Sequence, residues 1–281
     1  MNISSRIATG GCESLLFEQY LKGTGEHEKF YIIGGEAVAD TRKRIGVLLV
    51  NGFGTDFLGT KILYELALAL HNNGMPICIV DFDEKFNGRE MQMHSLAERQ
   101  RFARLAMDRF CSELNLSSQD IYIVGHSIGG LTGIAVAQNF VNGGLPRVIC
   151  INTLTSNSKS LKDLMPDTNV IMFGNPNPDF TKALIGDYKI VVPFGLNLVN
   201  FCHRGDPSIQ RQAWQGFKLI EFGNPSEWTL AAMKEHTLSL NQLARLRFLA
   251  EQYFPWHNFD DDEEKKELLR AILLGIKADS N

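Results

Sequence analysis

The sequence predicts an α/β fold, with a mostly parallel central sheet covered by helices on both faces. Three observations carry this. Short apolar runs alternate with amphipathic segments of helical spacing. The apolar runs are continuous rather than alternating, as in strands buried on both sides. One such run, IYIVGHSIGG from Ile121 to Gly130, ends in a serine fenced by small residues and passes directly into a helical stretch.

The elements follow in order. KFYIIGG and IGVLLVNG read as strands. LGTKILYELALALHNNG has apolar residues on a helical stripe, and Gly74 stands where a helix end is wanted. PICIVDF is a strand, and LAERQRFARLAMDRFCSEL a helix of mixed apolar and charged character. IYIVGHS is a strand, GLTGIAVAQNF a helix and PRVICIN a strand. LNLVNFCH and FKLIEFG are later strands, and NQLARLRFLAEQYF a further helix. The tail FDDDEEKKELLRAILLGIK reads as a helix whose acidic start suits the positive end of the backbone dipole. Its acidic run lacks the glycine turn and patterned oxygens of a Ca²⁺ loop, so no metal is expected there.

The segment from about 156 to 195 breaks the rhythm with SNSKSLKDLMPD, NVIMFGNP and TKALI. It reads either as a cap or lid over the strand ends or as an ordinary unit of the sheet. As a cap, Phe173, Phe180, Leu184, Ile185, Val191, Val192 and Phe194 would line an apolar acyl pocket; packed into the sheet, they would be core. No internal repeat is present, and 281 residues with 44% hydrophobic content suit one large core, hence a single domain over 1–281.

Composition excludes several classes of function. A net charge of −4 argues against nucleic acid or an anionic membrane surface as partner, since both need a basic face. No run of about 18 apolar residues is present, so no stable membrane insertion is expected. The start MNISSRIATGGCESLLF lacks the basic-then-apolar layout of a secretory signal. Five cysteines, an odd number with no CxxC pair, read as free thiols in a reducing compartment, with Cys78, Cys150 and Cys202 buried in apolar runs; a cytoplasmic location is expected. Neither a dinucleotide GxGxxG nor a Walker loop occurs, and no cofactor is expected.

Ser127 carries the chemistry. A serine hydroxyl is a poor nucleophile near neutral pH unless a base takes its proton and donors stabilise the oxyanion that forms. Gly125-His126-Ser127-Ile128-Gly129 matches the G-x-S-x-G elbow, in which the serine occupies a tight strand-to-helix turn. Gly129, Gly130 and Gly133 would let the helix approach the sheet closely. The plainer reading of Ser127 is a turn serine that caps the helix.

On these residues the chain resembles the α/β-hydrolase superfamily, in particular serine hydrolases of the carboxylesterase and monoacylglycerol lipase kind. The resemblance covers most of the chain in element order and is sharpest at the elbow. It implies an oxyanion hole of two backbone N–H donors. One is that of Ile128, after the serine. The other lies in the loop usually written His-Gly-X-Gly, here Asn51-Gly52-Phe53-Gly54, which makes Phe53 the matching donor. Asn51 departs from the usual histidine, whose role is to order the loop, and asparagine also bonds neighbouring backbone.

The resemblance further implies the chain order serine, acid, histidine. His236 follows FKLIEFG, the best last strand, and is the favoured base; His203 and His257 are the alternatives. Asp206 ends the strand LVNFCHRGDP and is the favoured acid, ahead of Asp179 in FGNPNPDF and Asp187 in IGDYK. Asp206 would hold His236 in the right tautomer, and His236 would take the Ser127 proton. The expected substrate is a small-molecule acyl ester. A thioesterase or acyltransferase on the same triad is the alternative, and a non-catalytic binding module on the same fold is a third reading.

Overall fold

Eight strands lie side by side in the order β1-β2-β4-β3-β7-β8-β9-β10 in the computed structural model. The structure describes residues 20–24, 28–34, 44–52, 60–82, 86–87, 90–91, 94–140, 144–153, 193–203, 217–222, 259 and 261–278. The strands are β1 (Leu21–Thr24), β2 (Glu28–Ile33), β3 (Gly46–Val50), β4 (Ile77–Phe82), β7 (Ile121–His126), β8 (Arg147–Ile151), β9 (Leu198–His203) and β10 (Phe217–Phe222), with a two-stranded ribbon of β5 (Phe86–Asn87) and β6 (Glu90–Met91) standing apart. The described helices are α1 (Lys61–Asn72), α2 (Leu96–Leu114), α3 (Ile128–Ala137) and α4 (Asp262–Ala278).

From β4 through β10 neighbouring strands are parallel; β2 joins antiparallel to β4, and β1 antiparallel to β2. The mostly parallel sheet expected from the sequence is present, with its antiparallel part confined to one edge. The strands β3, β4 and β7 are buried at every residue. Their side chains divide by the two-residue period of a strand. Leu48, Val50, Cys78, Val80, Ile121 and Ile123 pack with α2 and α3, while Val47, Leu49, Ile77, Ile79, Tyr122 and Val124 pack with α1 and α4. Each face is therefore covered by helices, and the strand sequences are apolar throughout because both faces are dry.

Local signals set the helix ends. Ser95 accepts the Glu98 N–H at 3.3 Å and Glu98 accepts the Ser95 N–H at 2.8 Å, a reciprocal cap that starts α2 at Leu96. Gly74, at φ 69°, closes α1 as expected. In the tail, Asp261 Oδ1 accepts the N–H groups of Glu263 and Glu264, both at 3.0 Å, and Leu268, Ile272 and Ile276 form the packed face of α4. Lys265 ties α4 to α1 through Glu65 at 2.9 Å. Cys78, Cys150 and Cys202 are buried free thiols, as read from their apolar surroundings. Among the described residues no helix is long and apolar enough to cross a membrane.

The segment 156–195 falls outside the described residues except for 193–195, as does NQLARLRFLAEQYF. Phe194 and Gly195 form a turn that leads towards β9, and Phe194 is exposed.

Candidate active site

Ser127 sits at the junction of β7 and α3 with φ 54° and ψ −123°. This is a positive-φ conformation that a residue with a Cβ adopts only when its surroundings impose it, at a cost of about 1–3 kcal/mol. Two hydrogen bonds impose it here. The Ser127 N–H donates to Ile151 O at 2.8 Å, which ties the elbow to the end of β8, and the Gly130 N–H donates to Ser127 O at 3.1 Å, which opens the helix. The Ser127 hydroxyl makes no capping bond to α3, so the plainer role of a helix-capping serine is not the one it plays.

The glycines around it are explained by contact. A Cβ on Gly125 would fall within 3.0 Å of the carbonyl carbon and oxygen of Gly129 and of the Gly130 nitrogen, all main chain. A Cβ on Gly129 would lie 2.6 Å from Asn51 O and would also run into Val50 O. One on Gly130 would lie 2.9 Å from the Cβ of Thr153. The strand, the helix and the end of β3 therefore meet backbone to backbone. All ten residues of α3 are buried, so the helix is held on every side and the elbow has little freedom to relax.

The segment after β3 reaches the same point. Gly52 lies against the elbow: a Cβ there would approach Ser127 Cβ to 3.3 Å and His126 Nδ1 to 2.8 Å. Asn51 is fully buried. Its carboxamide accepts the Phe82 N–H at 3.0 Å through Oδ1 and donates to Phe82 O at 3.0 Å through Nδ2. The last parallel pair of the β3–β4 ladder is Val50 with Val80. The Asn51 side chain thus continues the pairing beyond it, so the loop anchor expected of a histidine is made by an amide that bonds the next strand.

Arg99 of α2 is a further residue of this region that the sequence did not single out. It is fully buried, its guanidinium lies 4.2 Å from the centre of the Phe82 ring, and its Nη2 donates to Gly52 O at 2.9 Å and to Asn51 O at 3.4 Å. Its signal was available. Leu96, Arg99, Ala103, Ala106, Met107 and Phe110 make up the buried stripe of α2, and a charged residue on such a stripe needs a partner.

At the ends of β8 and β9, two asparagines make the cross-links. Asn152, at φ 45°, accepts the His203 N–H at 2.8 Å, and Asn200 pairs with the Thr153 main chain through Oδ1 at 3.3 Å and Nδ2 at 3.0 Å. His203 itself is buried. Its Nε2 lies 2.6 Å from Glu264 Oε2 of α4, and its ring packs edge-on against Phe259 at 5.5 Å. This alternative base is engaged with α4.

Of the other sequence-derived site residues, Ile128 begins α3 and is buried, its carbonyl accepting the Thr132 hydroxyl at 3.0 Å. Phe53, Asp179, Asp187, Asp206, His236 and His257 lie outside the described residues. Because β3, β7, β9 and β10 run parallel, the chain leaves all four at one edge of the sheet. Phe53 and Asp206 come one and three residues after Gly52 and His203, and His236 follows β10 in sequence. LVNFCH is a strand of the sheet between β8 and β10.

The topology has a counterpart among solved structures. Est1E from Butyrivibrio proteoclasticus aligns with a TM-score of 0.50 at 14% identity, over 83% of this chain and 97% of that one. The chain has the α/β-hydrolase fold. A carboxylesterase of the thaumarchaeon Nitrososphaera gargenis aligns at TM-score 0.49 and 13% identity over 92% of this chain and 99% of that one. A thermostable carboxyl esterase from Bacillus coagulans aligns at TM-score 0.46 and 13% identity over 69% and 84%. No protein-family model and no curated protein matches the sequence. In a sheet of this fold a serine at the strand-to-helix elbow is presented at the carboxyl edge of the strands, which is where β7 delivers Ser127.

Proposed function

We propose that the chain is a serine hydrolase that cleaves a carboxylic ester through an acyl-serine intermediate. The observation that carries this is the backbone of Ser127, held at φ 54° between β7 and α3 with a hydroxyl that does not cap the helix. A strained position kept by backbone contacts on three sides has a use, and presenting a nucleophile is the use that fits a serine.

The triad in this reading is Ser127, Asp206 and His236. His236 takes the Ser127 proton as Oγ bonds to the acyl carbon, and the carbonyl oxygen becomes an oxyanion. The N–H groups of Ile128 and Phe53 receive it. Collapse breaks the bond to the alcohol oxygen, which leaves with the proton from His236. Water then repeats the sequence on the acyl-serine, giving a carboxylic acid and restoring the hydroxyl. The first N–H groups of a helix have no partner within it, so the start of α3 suits a developing negative charge. Asp206 is supported as the acid by the place of β9 in the sheet beside β10.

The test is labelling with a fluorophosphonate probe and a series of p-nitrophenyl esters of graded chain length. The wild-type protein should be labelled at Ser127 and should turn the esters over, and Ser127→Ala should lose both while remaining folded. Turnover of wild-type rate in a folded Ser127→Ala protein, or a wild-type protein that binds esters without cleaving them, overturns the reading. Asp206→Asn should cost roughly four orders of magnitude by favouring the wrong tautomer, with Asp179→Asn close to wild type; the reverse result moves the acid.

A further inference from the structure

We infer that Asn152 is a positioning residue for Ser127; the inference rests on the reading of Ser127 as nucleophile. Asn152 follows the last residue of β8, is fully buried, and holds a left-handed φ of 45°. In a parallel ladder a residue at this place donates to one carbonyl of the next strand and accepts from the N–H two residues further on, both through its main chain. Asn152 makes the first bond with its main chain, to Phe201 O at 2.8 Å. It makes the second with its side chain, Oδ1 accepting the His203 N–H at 2.8 Å. The carboxamide thus takes a place in the ladder while the main chain turns out of the extended path. Asparagine is among the few residues with a Cβ that visit this region of φ readily, and the bond to His203 holds it there.

Both sides of the Asn152 Cα lead to the elbow. Upstream, the Ile151 carbonyl and the Asn152 N–H belong to one planar trans peptide and point in opposite directions. That carbonyl accepts the Ser127 N–H at 2.8 Å, so a single peptide joins Ser127 to β9. Downstream, Thr153 is buried against the first turn of α3, where a Cβ on Gly130 would lie 2.9 Å from the Thr153 Cβ. The Thr153 main chain is held to β9 by Asn200, through Oδ1 at 3.3 Å and Nδ2 at 3.0 Å. The Gly130 N–H in turn donates to Ser127 O at 3.1 Å. A change of φ at Asn152 must therefore turn the peptide between Ile151 and Asn152 or push Thr153 into α3. The first moves the acceptor of the Ser127 N–H, and the second moves the donor to the Ser127 carbonyl. Asn152 thus governs the main chain on either side of the Ser127 Cα, which sets the direction of the Ser127 side chain. It neither bonds to the substrate nor moves a proton.

The test compares Asn152→Asp, Asn152→Gly and Asn152→Ala with the wild type. Aspartate keeps the acceptor and tolerates the left-handed φ; glycine tolerates the φ but has no acceptor; alanine offers neither. A fluorophosphonate counts the active sites, and its labelling rate and p-nitrophenyl butyrate turnover then give the rate per site. Misplacement of a reacting group by about 1 Å costs on the order of 100-fold, so Asn152→Ala should lose about 10- to 100-fold per site by both measures. KM should change by less than about threefold. Asn152→Gly should lose less than Asn152→Ala, and Asn152→Asp should stay within about threefold of wild type. A role in stability alone would lower the count of active sites and leave the rate per site unchanged, and that result in the Asn152→Gly and Asn152→Ala proteins overturns the inference. So does a rate per site in Asn152→Asp as low as that of Asn152→Ala. If Asn152→Ala does not fold, equal rates per site in Asn152→Gly and Asn152→Asp overturn it. A wild-type protein that takes no fluorophosphonate and cleaves no ester overturns the serine hydrolase reading and this inference with it, whereas a reactive wild type with unaffected variants overturns this inference alone.

Discussion

Gly125→Ala should disable the elbow, whereas Gly133→Ala, on the same helix–strand contact, should be tolerated. At Gly125 an added methyl meets the Gly129 carbonyl carbon and oxygen and the Gly130 nitrogen, each inside 3.0 Å. All three atoms are main chain, so none can turn aside and α3 must move from β7 by an amount on the order of 1 Å. Overpacking of this kind costs about 1–3 kcal/mol, and the fully buried helix leaves little room for relief, which puts the loss near the upper end. Misplacement of a reacting group by about 1 Å costs on the order of 100-fold in rate. At Gly133 the nearest atom is Ile123 Cγ2 at 2.9 Å, with Val148 Cγ1 next at 3.5 Å. Both are methyl groups on side chains that can lean by a few tenths of an ångström. Alanine also gains about 1 kcal/mol of helix propensity over glycine, so the net change should be within about 1 kcal/mol. Urea unfolding followed by fluorescence gives the stabilities, and p-nitrophenyl butyrate hydrolysis gives the rates. Equal stabilities and rates in the two variants would refute the reasoning, because main-chain and side-chain obstacles would then weigh the same.

Asn51→His, which restores the residue usual in the resemblance, should destabilise this chain by about 1–3 kcal/mol, because an imidazole cannot both accept the Phe82 N–H and donate to Phe82 O from the same side; a melting temperature equal to or above wild type would contradict this. His236→Ala should remove esterase turnover, whereas His203→Ala should lower the melting temperature by loss of the Glu264 contact and leave the rate of the folded protein within about threefold of wild type; a dead His203→Ala protein would reassign the base. Burial pushes the Cys150 thiol from its ordinary 9.0 up to about 12. The folded state thus keeps a proton that the unfolded chain releases, so this contribution is complete below pH 9 and is lost as pH rises towards 12, at about 1.4 kcal/mol per pH unit. Cys150→Ala should flatten the fall of unfolding free energy across pH 9–11 by that slope, and identical slopes would disprove the assignment.

The parts of the fold that were legible in the sequence are those whose environment is uniform along the element. IGVLLV, ICIVDF and IYIVGH are apolar at nearly every position because β3, β4 and β7 are buried on both faces. α2 runs from Leu96 to Leu114, the bounds its periodicity gives, because Ser95 and Glu98 close its first turn locally. The elbow was legible for a related reason. The contacts of Gly125 and Gly129 are backbone contacts, and glycine is the only residue that allows them, so the geometry is written directly into the residue types. By contrast β1, LKGT, is short, half polar and, among the described residues, pairs on one side only, so neither its length nor its pattern marks it.

The residues that escaped the sequence are those whose meaning depends on partners far along the chain. Asn51 was visible as a departure from a motif, but its partner is Phe82, 31 positions on. Arg99 stands on the apolar stripe of α2, which marks it as a charge in need of a partner, but the partner is set only when α2 is laid over Gly52, 47 residues before it. His203 reads as a strand-end histidine open to catalysis until α4 brings Glu264 to it across 61 residues. In each case a polar group is taken out of water, and burial is tolerated only because a specific partner meets it. Apolar burial leaves a periodic trace in the sequence because any apolar neighbour will serve. Polar burial does not name its partner in that way, because it needs one particular neighbour. These pairings gather at the carboxyl edge of the sheet, where strands end and no ladder remains to satisfy the main chain: Asn51 serves Phe82, Asn152 serves His203, Asn200 serves Thr153 and Arg99 serves Gly52. The edge that presents Ser127 is therefore built from side chains that replace missing strand partners, and its rigidity rests on those side chains as much as on the apolar core beneath it.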